Sequence, residues 1–255
     1  RSRIPELIYQ IKEISGIEKV TLTTNGILLK GQMKALAESG LDSLNISLDT
    51  LDRECFCKIT RRDLLDGTLD GIKEAMKYPE VQLKINCVPL GLEEQDLCGI
   101  AEFARKNPVH VRFIEMMPIG YGNIPQSISN EELKEKIMRY YGNLTEDFRI
   151  YGNGPAVYYS IEGFKGNIGF ISAIHGKFCN LCNRIRMTST GDIKPCLCYE
   201  QRWALKPALR MEHKEKRQES IQKILIESIK NKPQMHCFEN VKSVSEKHFM
   251  GQIGG

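Results

Sequence analysis

Between residues 19 and 117, four β-type runs, "KVTLTTNG", "SLNISLDT", "VQLKINCV" and "HVRFIEMM", alternate with segments of helical periodicity. A helix between two strands carries the chain back across the sheet, so the next strand lies parallel to the last. Leu7, Ile8, Ile11 and Ile14 recur at helical spacing before the first run. Met33, Leu36 and Ala37 line the next helix, closed by Gly40, and further helices fall around 69–76 and 97–104. The pattern predicts βαβ units and a parallel sheet. Each strand ends in polar or chemically capable residues: Thr23, Thr24 and Asn25, then Ser47 and Asp49, then Lys84 and Asn86, then Glu115 and Met117. Parallel α/β folds place their sites at these C-terminal strand ends.

After about residue 117 the pattern changes. Ser129-Asn130-Glu131-Glu132 is a capping-box sequence that opens a helix to about Tyr141. Short strands are predicted at 156–161, 168–174, 184–189 and 193–197, with Gly191-Asp192 as a hairpin-like turn between the last two. A helix around 219–229 carries Ile221, Ile224, Leu225 and Ile229 on one face, a packing stripe. The expected division is a βα region over 1–125 and a smaller α+β region over 126–255.

The chain of 255 residues is long enough for such a two-part fold. Its apolar runs fall short of a membrane span. Its opening "RSRIPELIYQIKEISG" reads as an amphipathic helix and not a secretory signal. Thirty-six basic against thirty-two acidic residues, a net charge of +4, form no nucleic-acid-binding stripe. The nine cysteines are odd in number and lack a secretory context, so a reducing compartment is expected and clustered cysteines become metal candidates.

Four of the nine fall in "FCNLCNRIRMTSTGDIKPCLC", residues 178–198. Cys179, Cys182 and Cys196 form C-x2-C-x13-C, with Cys198 two residues on. If Cys196 and Cys198 share a strand, both face one side. Four thiolates would close a structural zinc site. Three would hold a [4Fe-4S] cluster and leave one iron open. Spacing alone does not separate these two. Arg184 and Arg186, two apart and expected on one strand face, are foreign to a structural zinc site but suit phosphate or carboxylate. An open iron beside them fits an anionic ligand with a ring nitrogen, such as a nucleotide. His175 is a further, weaker ligand candidate.

"TTNG" at 23–26, "NISLD" at 45–49, "LKINCV" at 83–88, "RFIEMMPIG" at 112–120, "FCNLCNRIR" at 178–186, "GDIKPCL" at 191–197 and the terminal "IGG" together resemble the GTP 3′,8-cyclase family of radical S-adenosylmethionine (SAM) enzymes in molybdenum cofactor biosynthesis. The resemblance spans essentially the whole chain. It implies a partial, TIM-type (β/α)6 barrel, N-terminally truncated with four of six βα units, followed by a cluster-binding region. It implies that Cys179, Cys182 and Cys196 ligate a second [4Fe-4S] cluster. GTP contacts map onto Thr23, Lys84, Arg184, Ile185 and Arg186, and SAM contacts onto Ser47 and Met117. A first cluster motif, C-x3-C-x2-C, is expected before Arg1. The implied chemistry is radical cyclisation of GTP in a reducing intracellular compartment, the cytoplasm or a mitochondrial matrix. It draws on SAM and an electron donor, with a homodimer as the assembly. Cys198 stands where the family usually has Phe, and the segment after it, to about residue 216, is shortened. A non-catalytic zinc-binding chain is the alternative.

Overall fold

The structure, a computed structural model, describes residues 3–120, 128–176 and 178–253. The expected terminal Gly254-Gly255 therefore lies outside the described residues. Two compact units form: unit 1 is Arg1–Glu115 with Gln126–Ile171, and unit 2 is Met116–Pro125 with Ser172–Gly255. Residues 126–171, which the sequence pattern grouped with the second region, thus pack in unit 1. Among the described residues no helix is long and apolar enough to cross a membrane.

Unit 1 is built on β1 (Thr21–Thr24), β2 (Ser43–Ser47), β3 (Gln82–Cys87) and β4 (His110–Ile114). Between them run α1 (Ile4–Lys12, ahead of β1), α2 (Met33–Glu38), α3 (Arg53–Thr60), α4 (Leu65–Ala75) and α5 (Leu97–Lys106). After β4 come α6 (Asn130–Tyr141), β5 (Thr145–Asp147), β6 (Val157–Ser160) and β7 (Ile168–Ile171). The seven-stranded sheet has the order β1-β2-β3-β4-β7-β6-β5. β1 to β4 pair in parallel, as the alternation predicts, and β7 pairs parallel to β4 as a fifth such strand. The sequence reading counted only four. β7 was misplaced because Ile168-Gly-Phe-Ile is short and follows a long connection; its run of buried residues marks a strand covered on both faces.

The local reasons are legible. Asp52 caps α3 by accepting the Cys55 N–H at 2.7 Å, and Asp96 caps α5 by accepting that of Gly99 at 2.9 Å. Ser129 and Glu132 form the expected capping box on α6. Gly71 of α4 packs against the Asn-Gly turn after β1, where a Cβ would stand 2.1 Å from the Gly26 carbonyl oxygen. Only glycine permits that approach, and it holds the "TTNG" turn against the sheet.

Parallel register gives the sheet two unlike faces. Leu44, Ile46, Leu83, Ile85, Val111, Phe113, Ile168 and Phe170 are buried in one apolar cluster with Leu36, Ile72, Ile100 and Ile137 from the helices. Burying such side chains contributes about 1.5–3 kcal/mol each. The opposite face is polar.

Unit 2 contains a three-stranded antiparallel sheet in the order β10-β9-β8, from β8 (Arg186–Met187), β9 (Asp192–Lys194) and β10 (Trp203–Ala204). It continues through α7 (Lys206–Leu209), α8 (Lys214–Lys230) and α9 (Met250–Ile253). Its apolar cluster is small: Ile119, Leu197, Cys198, Phe238 and Ile253 are its buried members. The cysteine segment runs through the middle of this core.

Candidate nucleotide and cluster site

In unit 1 the polar face is a set of cross-strand rows. Thr23, Asn45, Lys84 and His110 stand opposite one another in register across β1 to β4. One step up are Ser47, Asn86 and Arg112, and one step down Ser43 and Gln82. Residues aligned in parallel strands point to the same side, so Thr23, Ser47 and Lys84, singled out from the sequence, share this face. Asn86, also named at a strand end, lies on it too, while Asn45, His110 and Arg112 were missed. The signal was present as period-two alternation in "SLNIS", "QLKIN" and "HVRF", where every second residue is polar.

The face is wired rather than merely polar. Asn45 donates to the Thr23 hydroxyl at 3.1 Å, and Arg112 Nε donates to Asn86 Oδ1 at 2.8 Å. Lys84 Nζ donates to Ser43 Oγ at 2.8 Å and to Gln82 Oε1 at 2.5 Å. Lys84 is only 3 % exposed. Burial, and then the charges of Arg112 and Lys19, bring its pKa down to about 8. Burial and the Lys84 charge bring that of His110 down to about 4, so its imidazole is neutral at pH 7. Asn45 Oδ1 is a buried acceptor with no partner among the described residues. An orphaned buried polar atom on a cationic, hydrogen-bonding face is the mark of a polar ligand site.

In unit 2 the cysteines are positioned by a 3₁₀ turn and a hairpin. Cys179–Leu181 forms the turn, and the Cys182 N–H returns to the Cys179 carbonyl at 3.0 Å. β8 and β9 pair Arg186 with Lys194, and β9 delivers the chain to Cys196. Exposure alternates from Cys182 through Arg184 to Arg186, all half-buried, while Asn183, Ile185 and Met187 are exposed. The expected common face of the two arginines therefore exists, although paired strand begins only at Arg186. The Arg184 guanidinium lies 5.7 Å over the Phe178 ring.

Cys179, Cys182 and Cys196 influence one another: burial, opposed in part by the Cys198 N–H and Arg186, raises the Cys196 thiol, and the nearby Cys179 and Cys182 raise it further. Burial also raises Cys182, but the Arg184 N–H and the Lys232 charge reverse this and leave it below the ordinary thiol value. Lys232 Nζ donates to the carbonyls of Cys182 at 2.5 Å and Arg184 at 2.9 Å, and approaches Cys182 Sγ at 3.5 Å. The His236 N–H donates to Cys179 Sγ at 3.4 Å. Yet no three His, Cys, Asp or Glu side chains among the described residues converge tightly enough for one metal ion. Three thiols in mutual electrostatic reach are the donor chemistry of a thiolate-held metal group.

Cys198 faces Cys237 and also lies in electrostatic reach of Cys196. Residues 196 and 198 lie beyond β9, so the shared strand face does not form. Cys198 is fully buried and its Sγ lies 3.1 Å from that of Cys237. Burial pushes its thiol up to about 12. Met117 packs beside Ile119 in the same unit's core. The remaining cysteines sit apart: Cys55, Cys87 and Cys98 are buried in unit 1, and Cys57 is half-buried on α3.

Residues 1–104 match the Radical SAM superfamily model, and residues 109–238 match the Molybdenum Cofactor Synthesis C family model. A GTP 3',8-cyclase of Clostridium perfringens (strain SM101 / Type A) is 41% identical over 256 residues, covering 100% of this chain and 78% of that protein. GTP 3',8-cyclases of Syntrophomonas wolfei and Moorella thermoacetica are 39% and 35% identical, each over 259 residues, with the same coverage. A chain matched end to end by such relatives, and carrying both of the family's parts, belongs to the GTP 3',8-cyclase family of radical SAM proteins.

Proposed function

We propose that the protein is a GTP 3′,8-cyclase of molybdenum cofactor biosynthesis, converting GTP to 3′,8-cyclo-7,8-dihydro-GTP with SAM and a one-electron donor. The observation that carries this reading is the unit 2 constellation: three thiols in C-x2-C-x13-C spacing with Arg186 in electrostatic reach of Cys182 and Cys196. Cys179, Cys182 and Cys196 would hold a [4Fe-4S] cluster. When bound, the cluster would supply Lewis-acid iron chemistry toward a purine, and SAM would supply the radical chemistry at the ribose. The protein's own residues position and neutralise. Arg184 and Arg186 offer guanidinium forks to phosphate or the base edge, and the exposed Ile185 between them offers its backbone. In unit 1, Thr23 and Lys84 take GTP on the polar face. Ser47, at the end of β2, and Met117 serve SAM. A pre-wired face spends little reorganisation on the ligand, which is how positioning accelerates a radical step.

Alanine at Lys84, Arg184 or Arg186 is expected to weaken GTP binding about tenfold or more, since a hydrogen bond to a charged group contributes about 1.5–3 kcal/mol. Titration calorimetry reads this, and unchanged affinity in all three variants refutes the assignment. Lys84 adds a pH signature. With its pKa near 8 the amine is a full cation below that pH, so GTP affinity should decline as pH rises through about 8. Stability without ligand should move the other way. A buried amine titrating below its ordinary value costs stability while charged, and the cost fades between about pH 8 and the ordinary lysine range. Lys84→Met should flatten both profiles.

The function itself is tested by incubating anaerobically reconstituted protein with SAM, dithionite and GTP. 5′-Deoxyadenosine and the cyclised nucleotide are expected when the C-x3-C-x2-C segment is joined ahead of residue 1. A polypeptide of residues 1–255 alone is expected to form neither, because its six cysteines outside the three-thiol set do not repeat that spacing and four of them are buried. Turnover by that polypeptide would mean that the radical chemistry has been assigned to the wrong cysteines.

A further inference from the structure

Cys198 and Cys237 play no part in the three-thiol set, yet they face each other. Their sulfurs are 3.1 Å apart across 39 residues of sequence. The Cys237 N–H donates to Cys198 Sγ at 3.3 Å, and the Cys237 thiol donates to the Ser243 carbonyl at 3.1 Å. Cys198 is closed off between Leu197 and Phe238 in the small core, while Cys237 is half-buried. We propose that Cys198 and Cys237 are a reversible disulfide pair that staples the segment after Cys196 to the segment around His236.

The geometry asks for little movement. A disulfide has an S–S length of about 2.05 Å, so the sulfurs need to close by only about 1 Å. The oxidant belongs to the class of low-molecular-weight disulfides, of which glutathione disulfide is the probe. The accessible Cys237 thiol loses its proton to solvent and attacks one glutathione sulfur, forming a mixed disulfide and expelling a glutathione thiolate, which takes up a proton. The Cys198 sulfur then attacks the Cys237 sulfur, forming the internal bond. The second glutathione thiolate leaves and takes the Cys198 proton. Two protein thiols are oxidised by two electrons, and one glutathione disulfide becomes two glutathiones.

The consequence for the site rests on the cluster reading above. The Cys198 amide faces the Cys196 sulfur, and the His236 amide donates to Cys179 Sγ. The staple therefore fixes the backbone groups that hydrogen-bond to two of the three proposed ligands. It holds that pocket together when the cluster is absent. Reduced, the same two segments are held only by non-covalent contacts, among them the Cys237 N–H to Cys198 Sγ and the Tyr199 hydroxyl to the Met235 carbonyl.

Cluster-free protein is treated with glutathione disulfide, digested without reductant and mapped by mass spectrometry. A peptide joining residues 198 and 237, the loss of two titratable thiols and a rise in melting temperature are expected. Cys237→Ser should abolish all three, while retaining the same iron content on reconstitution as the unsubstituted protein. The same link should form in the Cys179→Ala/Cys182→Ala/Cys196→Ala variant, so failure of the cluster reading leaves the pair standing. If that variant does not fold, the map of unsubstituted cluster-free protein decides. No 198–237 peptide, or Cys198 linked instead to Cys196, overturns the proposal.

Discussion

Alanine at Cys179, Cys182 or Cys196 is expected to strip nearly all iron and acid-labile sulfide from the reconstituted protein, together with its visible charge-transfer absorption. Changing groups that merely orient metal ligands costs about 10–100-fold in metal affinity, so losing a ligand should cost more. The second expected effect is on folding. Among the described residues the buried apolar cluster of unit 2 has five members, Ile119, Leu197, Cys198, Phe238 and Ile253, with Met116, Ala173, Ile193, Leu205 and Ala208 buried outside it. A core that small leans on its metal group, whose binding free energy then becomes folding free energy. The variants should therefore melt with an early transition from unit 2, followed by one from unit 1 close to its normal temperature. Cys198→Ala is the control: it should keep its iron. Iron loss in that variant, or full iron in the other three, would show that the ligand set has been misassigned.

Lys194→Met or Glu246→Gln should destabilise unit 2 by about 3–5 kcal/mol, the usual result of leaving one member of a buried ion pair behind. Both side chains are wholly buried and in direct contact. Lys194 also donates to the Tyr199 carbonyl. Glu246 Oε1 accepts the His248 N–H at 2.7 Å and the His248 ring at 2.8 Å. Burial works to raise the Glu246 carboxyl, and the hydrogen bonds from Lys194 and His248 outweigh it, so its pKa is depressed. That sign means the stability is present above the ordinary carboxylate range and is lost as the medium is acidified below it. Denaturant melts at pH 7 and in acid would read both effects. The double variant Lys194→Met/Glu246→Leu should recover much of the loss, because a charge stranded in the core is worse than no charge at all. Additive losses would mean the two residues act separately.

The sheet and its polar ends could be read from the chain because parallel strands leave two signals at once, apolar runs and helices between them. The cysteine spacing was equally plain, since C-x2-C with a later partner is rarely accidental. The partners from 232 to 246 were not legible. Lys232, His236, Cys237 and Glu246 sit in turns without periodicity, and nothing in their order reveals that they return to Cys182, Cys179, Cys198 and Lys194. A strand was expected at 168–174, but its place beside β4 was hidden for a related reason. Pairing across a long connection depends on the whole sheet, and a window of ten residues does not contain it.

That late strand has a consequence during synthesis. Until residues 168–171 emerge from the ribosome, β4 has no neighbour on its far side and offers a bare row of hydrogen-bonding groups. Translation at about 5–20 residues per second leaves it so for roughly 3–11 s, long compared with the microseconds in which hairpins and helices form. Within that interval the nascent chain has already extruded Met116–Pro125, which belongs to the other unit. Unit 1 is thus completed only after the ribosome has begun unit 2, and the newborn protein is most exposed to wrong strand partners, and to chaperones, between the emergence of residue 114 and that of residue 171.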